Sequence, residues 1–293
     1  MYGLFDYARV LPQFLLPQHA LSRMVYRITR CEWPPLKNLL IRSFIAWFKV
    51  DMGIAEQPAA GMYKHFNHFF TRPLKAGARP VTGDVNTIVC PVDGRISQIG
   101  KIQAGSIFQA KNRAYDLATL LAGDDGSITS FTNGSFATLY LAPRDYHRVH
   151  MPLEGKLDRM IYVPGRLFPV NTHTTRVVNG LFARNERVIS IFDTNLGPMA
   201  LVMVGAMNVG CMETVWAGEV TPAPQREITT WDYTGSGQEI RLKRGQEMGR
   251  FNMGSTVILL FAKDRMQWLS HPGPDAQITM GMPLGTKSMG QSA

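Results

Sequence analysis

The sequence predicts an α+β protein, with a helical N-terminal region followed by a mainly antiparallel β core domain. Three observations predict it. Up to about residue 80, apolar residues recur at helical spacing. From residue 86 onward the texture changes to short apolar runs separated by Gly, Pro, Asn and Asp, which are strand and turn signals. The chain's 293 residues, 45% of them hydrophobic, suffice for a packed core.

The first element is a leader, VLPQFLLPQHALS (10–22), the longest uncharged stretch near the N-terminus. Two prolines and several polar residues interrupt it, and it falls short of the ~18–20 apolar residues of a spanning helix. No transmembrane helix is expected, and no signal peptide, because a clean apolar core with a small-residue cleavage site is missing. Residues 21–50 read as helical. NLLIRSFIAWFKV places Leu39, Leu40, Phe44, Trp47 and Phe48 on or near one face, with Arg42 and Lys49 away from it. Residues 51–80 continue with helical character (YKHFNHFFTRPL), and Pro73 and Pro80 punctuate the exit.

The predicted β elements are TIVCPVDGRISQIG, SFATLYLAP, RVISIFDTNLGPMALVMVGA, IRLKRGQEMGRF and STVILLF. The tail from His271, rich in Gly, Met, Ser and Pro, reads as a loop or partly disordered. The expected division is a helical region over 1–80 and a β-rich domain over 81–293.

The formal net charge is +9, and the first 50 residues carry seven basic side chains against two acidic ones. A basic, aromatic, amphipathic leader points to an anionic surface. Its apolar content favours a membrane over nucleic acid, for which no fold motif is present. Cys31, Cys90 and Cys211 are far apart without CxxC spacing, which argues against a disulfide framework and a zinc site and fits a reducing compartment; no metal is expected.

P-loop, dinucleotide GxGxxG, GxSxG and HExxH motifs are missing. The candidates for chemistry are Asp93 in CPVDG, His147 and His150 in APRDYHRVHMP, and Ser255 in MGST. Taken singly, each has a bland reading. Asp93 is a turn aspartate bonding its own backbone; the two imidazoles, three apart, fall on opposite faces of a regular strand; Ser255 is a small residue opening a strand. Together, an acid, two imidazoles and a hydroxyl are what a nucleophile, its base and the base's orienting partner require.

PVDG, DYHRVHMP, VPGRLFPVN, LFARNERV and MGST before an apolar strand, in this order, resemble the bacterial phosphatidylserine decarboxylase proenzymes, from the leader to about residue 263. Met253 departs from the family's LGST motif in a near-isosteric way that leaves Gly254 and Ser255 intact. The resemblance implies self-cleavage between Gly254 and Ser255, giving a β chain of 1–254 and an α chain of 255–293 held together non-covalently. It also implies a covalent pyruvoyl cofactor derived from Ser255. Phosphatidylserine in the bilayer would then be decarboxylated to phosphatidylethanolamine and carbon dioxide through an imine with that group.

By the same resemblance His150 is the base for maturation, Asp93 its orienting acid, and His147 the proton donor in turnover. The enzyme is expected to lie peripherally on the cytoplasmic side of the inner membrane, against its anionic surface, with room for a homo-oligomer and no nucleic-acid partner. Arg166, Arg184 and Arg187 are candidate partners of the lipid phosphate, set against a plain reading as solvated surface charge. Two other readings stay open: a Ser-His-Asp hydrolase with a reusable Ser255, and a non-enzymatic membrane-binding β module.

Overall fold

The computed structural model describes residues 10, 13, 16–110, 113–207, 211–223, 226–235, 237, 239–253 and 256–288. Gly254 and Ser255 lie outside this set, as does most of the leader's first 15 residues. Helices concentrate at the N-terminus, and the core is a large antiparallel sheet.

The predicted helical stretch over 21–50 is two helices, Gln18–Thr29 and Pro34–Phe48. The Pro34–Pro35 pair explains the break: proline is tolerated in a helix's first turn but cannot continue one already under way. Leu40, Phe44 and Phe48 pack with buried Ile41 on an aromatic cluster containing Phe66, Phe69 and Phe70. Leu39 and Trp47, expected on that same face, are instead exposed alongside Arg42 and Lys49. Trp47 is 83% exposed and Trp33 63%. Among the described residues no helix is long and apolar enough to cross a membrane.

Continued helix over 51–80 is not observed. Only a single 3₁₀ turn, Ala60–Met62, and the short helix Phe66–Phe70 form there. His65 caps that short helix by accepting the His68 N–H on its ring at 3.0 Å, and Pro73 follows within three residues, so the polar and proline signals at its ends outweigh the apolar spacing.

The main sheet centres on Thr256–Phe261, which pairs antiparallel with Ser135–Tyr140 on one side and Gly197–Val204 on the other. Flanked on both edges and covered on both faces, all six of its residues are buried, hence the unbroken apolar run TVILLF where a half-exposed strand would alternate. The hairpin Arg187–Thr194 and Gly197–Val204 extends the sheet to Gly155–Val163, and Gly94–Lys101 extends it beyond Ser135–Tyr140. A separate four-stranded sheet joins Arg148–His150, Glu247–Phe251, Met212–Thr214 and Gly218–Glu219.

The tail is not a loop. Gln277–Ile278 pairs with Gly94–Lys101, and Pro283–Lys287 lies between Thr87–Val89 and Met266–Trp268. Its glycine composition reflects close packing: a Cβ on Gly285 would stand 2.7 Å from Met266 Cε and 2.8 Å from the Gln267 carbonyl.

Gly94 meets a similar restriction, because a Cβ there would lie 2.2 Å from the Tyr140 carbonyl oxygen, and backbone in mid-sheet cannot withdraw. Gly94→Ala is expected to cost about 1–3 kcal/mol by urea unfolding. Gly273→Ala, with nothing within 4 Å, should be nearly neutral; equal midpoints for the two variants would refute the close approach.

Candidate active site

Phe251 ends the four-stranded sheet and Thr256 opens the central strand, so the Gly254–Ser255 bond belongs to a four-residue link between two sheets. Both ends of the link are held. Asn252 is buried; its N–H donates to the Cys211 carbonyl at 2.9 Å, and its side chain accepts from Asn67 Nδ2 at 3.0 Å. Met253 takes φ 135°, a conformation L-residues rarely adopt, which places backbone strain directly before Gly254. On the far side, Thr256 pairs with Tyr140 and Val204, and its buried hydroxyl has no hydrogen-bond partner among the described residues.

Asp93 is buried and does not cap its own turn. Arg79 grips it, Nε donating to Oδ1 at 2.8 Å and Nη2 to Oδ2 at 2.5 Å, and the Met280 N–H donates to Oδ1 at 2.8 Å. The hydrogen bond to Asp93 raises the Arg79 pKa.

His150 ends the strand Arg148–His150. Its Nδ1 lies 2.9 Å from the Gly245 carbonyl, which can only accept, so Nδ1 carries the proton. Nε2 is therefore the basic nitrogen, and the Tyr146 hydroxyl, 3.1 Å away, donates to it. Burial pushes the Tyr146 pKa up to about 12, which keeps that proton in place. Burial lowers the His150 pKa, while the Gly245 carbonyl, Glu247 and Asp93 act in the opposite direction. Asp93 thus acts on His150 through its field; the contact that sets the tautomer comes from Gly245.

His147, just before that strand, occupies different surroundings. Its ring stacks on Phe70, with centroids 4.1 Å apart and 21° between planes. Nε2 lies 3.4 Å from the Pro143 carbonyl, and the buried Nδ1 has no hydrogen-bond partner among the described residues. The ring lines a cavity of about 300 Å³ whose wall includes Phe44, Phe48, Val170, Met207 and Met253. One cavity therefore brings together the aromatic helix Pro34–Phe48, His147 and the residue preceding Gly254.

Several contributors escaped sequence reasoning. Arg79, Tyr146 and the Gly245 carbonyl lie 14, 4 and 95 residues from their partners, separations that no local pattern exposes. Arg72 is buried, donates to the Arg144 carbonyl at 3.0 Å, and leaves Nε and Nη1 unpartnered. Arg187, considered above for a lipid phosphate, is excluded from that role. It is buried, and its guanidinium is saturated by the carbonyls of Thr119, Leu120, Ala183 and Asn185.

The family described as phosphatidylserine decarboxylase matches residues 66–286, and a shorter family description, PSD, matches 8–49. This chain belongs to the phosphatidylserine decarboxylase family. A phosphatidylserine decarboxylase proenzyme of Azotobacter vinelandii is 52% identical over 283 residues, covering 96% of this chain and 98% of the relative. The proenzyme of Methylococcus capsulatus is 51% identical over 274 residues, 94% of each chain. Within the phosphatidylserine decarboxylase match fall Asp93, His147, His150, Gly254 and Ser255.

Burial, then Arg72, drive the His147 pKa down from 6.5 to about 3. A depressed histidine stabilises the fold fully above its unfolded pKa. As pH falls from about 6.5 toward 3, the unfolded chain takes up a proton that the fold refuses, and stability is lost. His147→Gln should flatten this acid limb by up to about 1.4 kcal/mol per pH unit, measured as urea-unfolding free energy against pH. An unchanged limb would mean that His147 is not buried as a neutral ring.

Proposed function

We propose that this chain is a proenzyme that cuts itself between Gly254 and Ser255 and then decarboxylates phosphatidylserine to phosphatidylethanolamine. The observation carrying the proposal is the cavity that joins His147 to Met253 beneath an aromatic helix. It gives an acyl-bearing substrate an apolar wall and brings an imidazole to the same cavity as Met253, two residues before position 255 in sequence.

In maturation, the Ser255 hydroxyl gives up its proton and adds to the Gly254 carbonyl, and the amide becomes an ester. Elimination of the ester releases the 1–254 carboxylate and leaves dehydroalanine at position 255. Hydrolysis then yields the pyruvoyl group and ammonia. A hydroxyl at neutral pH is a weak nucleophile and requires a base. His150 suits this role because its protonated Nδ1 faces Gly245, leaving Nε2 basic. Asp93, held by Arg79, favours the imidazolium that forms through its field. The strain at Met253 supports the reading as well, since cutting the link can release it.

The residues present fit a pyruvoyl group at this position, which when bound supplies an electron sink for the pair released with carbon dioxide. His147 would relay the proton that replaces the carboxylate: with Nε2 facing the Pro143 carbonyl, Nδ1 is the bare nitrogen that takes up a proton once substrate is bound and hands it on. Arg72 and burial keep that ring neutral at rest, and an anionic substrate entering the cavity opposes the effect of Arg72.

Peripheral association with the cytoplasmic side of the inner membrane completes the proposal, with residues 1–80 as the membrane-associating region and 81–293 as the catalytic domain. Its support is the exposed set of Trp33, Leu39, Trp47 and Met62 beside Arg42 and Lys49.

Intact-mass measurement under denaturing conditions tests the cut. Two fragments split after Gly254 are expected, the smaller beginning in pyruvoyl, with Ser255→Ala remaining whole. A single chain with unmodified serine would favour the reusable-nucleophile hydrolase. The histidines should separate: His150→Ala slows cleavage by about 10²–10⁴-fold, whereas His147→Ala cleaves but loses decarboxylation by a similar factor. A His150→Ala protein that matures normally while His147→Ala stays uncut would reverse the assignment.

A further inference from the structure

The Gly165 carbonyl is the centre of a group of cations that neither maturation nor turnover uses. Arg226 Nη2 donates to it at 3.1 Å and lies 2.7 Å from His19 Nε2. Arg166 is next in the chain, and its N–H donates to the Arg184 carbonyl at 2.9 Å, while Glu186 N–H donates back to the Arg166 carbonyl at 2.8 Å. Arg23, one turn beyond His19 on Gln18–Thr29, borders the same place, and Arg226, Arg23 and Arg166 all act to lower the His19 pKa. Arg166, Arg184 and Arg226 line one open basin; Arg23, His19 and Arg226 line a small cavity of about 70 Å³ beside it.

These four guanidiniums come from four segments, and among the described residues none forms an ion pair with a carboxylate. The acid in the wall, Glu186, is buried and accepts the Tyr162 hydroxyl at 2.8 Å; burial raises its pKa, while that hydrogen bond and Arg226 act to lower it. Glu227, beside Arg226 in sequence, makes no ion pair with it. The arrangement is fixed in advance. A Cβ on Gly165 would stand 2.5 Å from Asn185 C and Glu186 N, which pins this backbone, and the Arg184 guanidinium lies 5.8 Å from the Phe168 ring centroid. Like charges gathered without counter-charge repel, and a preorganised set of forked donors suits a phosphate.

The location selects the source of the phosphate. The basin is open at the surface, and on the exposed face of Gln18–Thr29 that carries Arg23 and Arg27 stand Met24 and Ile28, 53% and 41% exposed. Cations beside exposed apolar side chains match a headgroup with its acyl chains. From Pro164 the chain runs directly into Pro169, Val170 and Asn171 of the His147 cavity wall. We propose that Arg23, Arg166, Arg184 and Arg226 form a receptor for the phosphate of an anionic bilayer phospholipid, separate from the catalytic cavity, that seats the enzyme on its membrane. The proposal rests on the membrane part of the functional reading and is independent of the cut.

Flotation with phosphatidylcholine vesicles, with and without phosphatidylglycerol, tests it. The triple variant Arg166→Gln, Arg184→Gln, Arg226→Gln should bind the anionic vesicles about 100-fold less tightly at low salt, from roughly fivefold per cation, and bind phosphatidylcholine unchanged. The remote triple Lys101→Gln, Lys263→Gln, Lys287→Gln, equal in charge and exposed, should change binding by less than about threefold. Unchanged unfolding midpoints verify that both triples fold. Equal losses in the two triples would reduce the effect to net charge and overturn the receptor, as would no loss in the first. Micromolar calorimetric binding of inorganic phosphate to wild type but not to the first triple would make it a free-anion site and overturn the lipid assignment. Trp47→Ala reports separately: its failure to weaken binding to either vesicle would count against the leader's membrane role and leave the basin standing.

Discussion

The hydrogen-bond ladder on both edges of Thr256–Phe261 is the constraint on which the rest of the structure depends. Six residues pair with Ser135–Tyr140 and the same six with Gly197–Val204, so the strand is held by its neighbours whether or not it remains joined to residue 254. A chain can tolerate a break only where tertiary pairing has replaced covalent continuity. The link between the two sheets is such a place, because Asn252 is anchored on one side and Thr256 on the other.

Around that link the polar groups are divided by task. Arg79 and the Met280 N–H hold the Asp93 carboxylate in place, the Gly245 carbonyl commits His150 to one tautomer, and burial against Phe70 keeps His147 neutral. The two imidazoles are three residues apart yet share neither partners nor surroundings: His147 stands just before the strand Arg148–His150 and His150 closes it, so the rings sit at its opposite ends.

Much of the fold could be read from the chain because its signals are local. The run TVILLF, the hairpin RVISIFDTNLGPMALVMV and the break at Pro34–Pro35 each state their structure within a few residues. The tail could not be read so, since Gly285 is small on account of Met266 and Gln267 rather than of flexibility. Of the site, Asp93, His147 and His150 were visible as residue types in their motifs, whereas Arg79, Gly245 and Tyr146 were not. A carbonyl that fixes a tautomer leaves no mark in a sequence, and an arginine that grips an acid resembles any other arginine. Leu39 and Trp47 misled for a further reason: helical spacing names a stripe but not what lies against it, and here part of the stripe meets the core and part meets solvent.

The contact between Met280 and Asp93 bears on the order of events during synthesis. Gln277–Ile278 pairs with Gly94 and Arg95 immediately beyond the acid, and the N–H of Met280 completes its hydrogen bonding. A chain still emerging from the ribosome carries Gly254 and Ser255 well before it carries residue 280, and at that stage the acid lacks one of its donors and its strand lacks an edge partner. On the proposed reading, in which Asp93 supports the cut, that machinery would be whole only when nearly the entire polypeptide had been made. A tail contact beside the acid would then act as a timer, withholding scission from a nascent chain whose second piece is too short to stay in the fold.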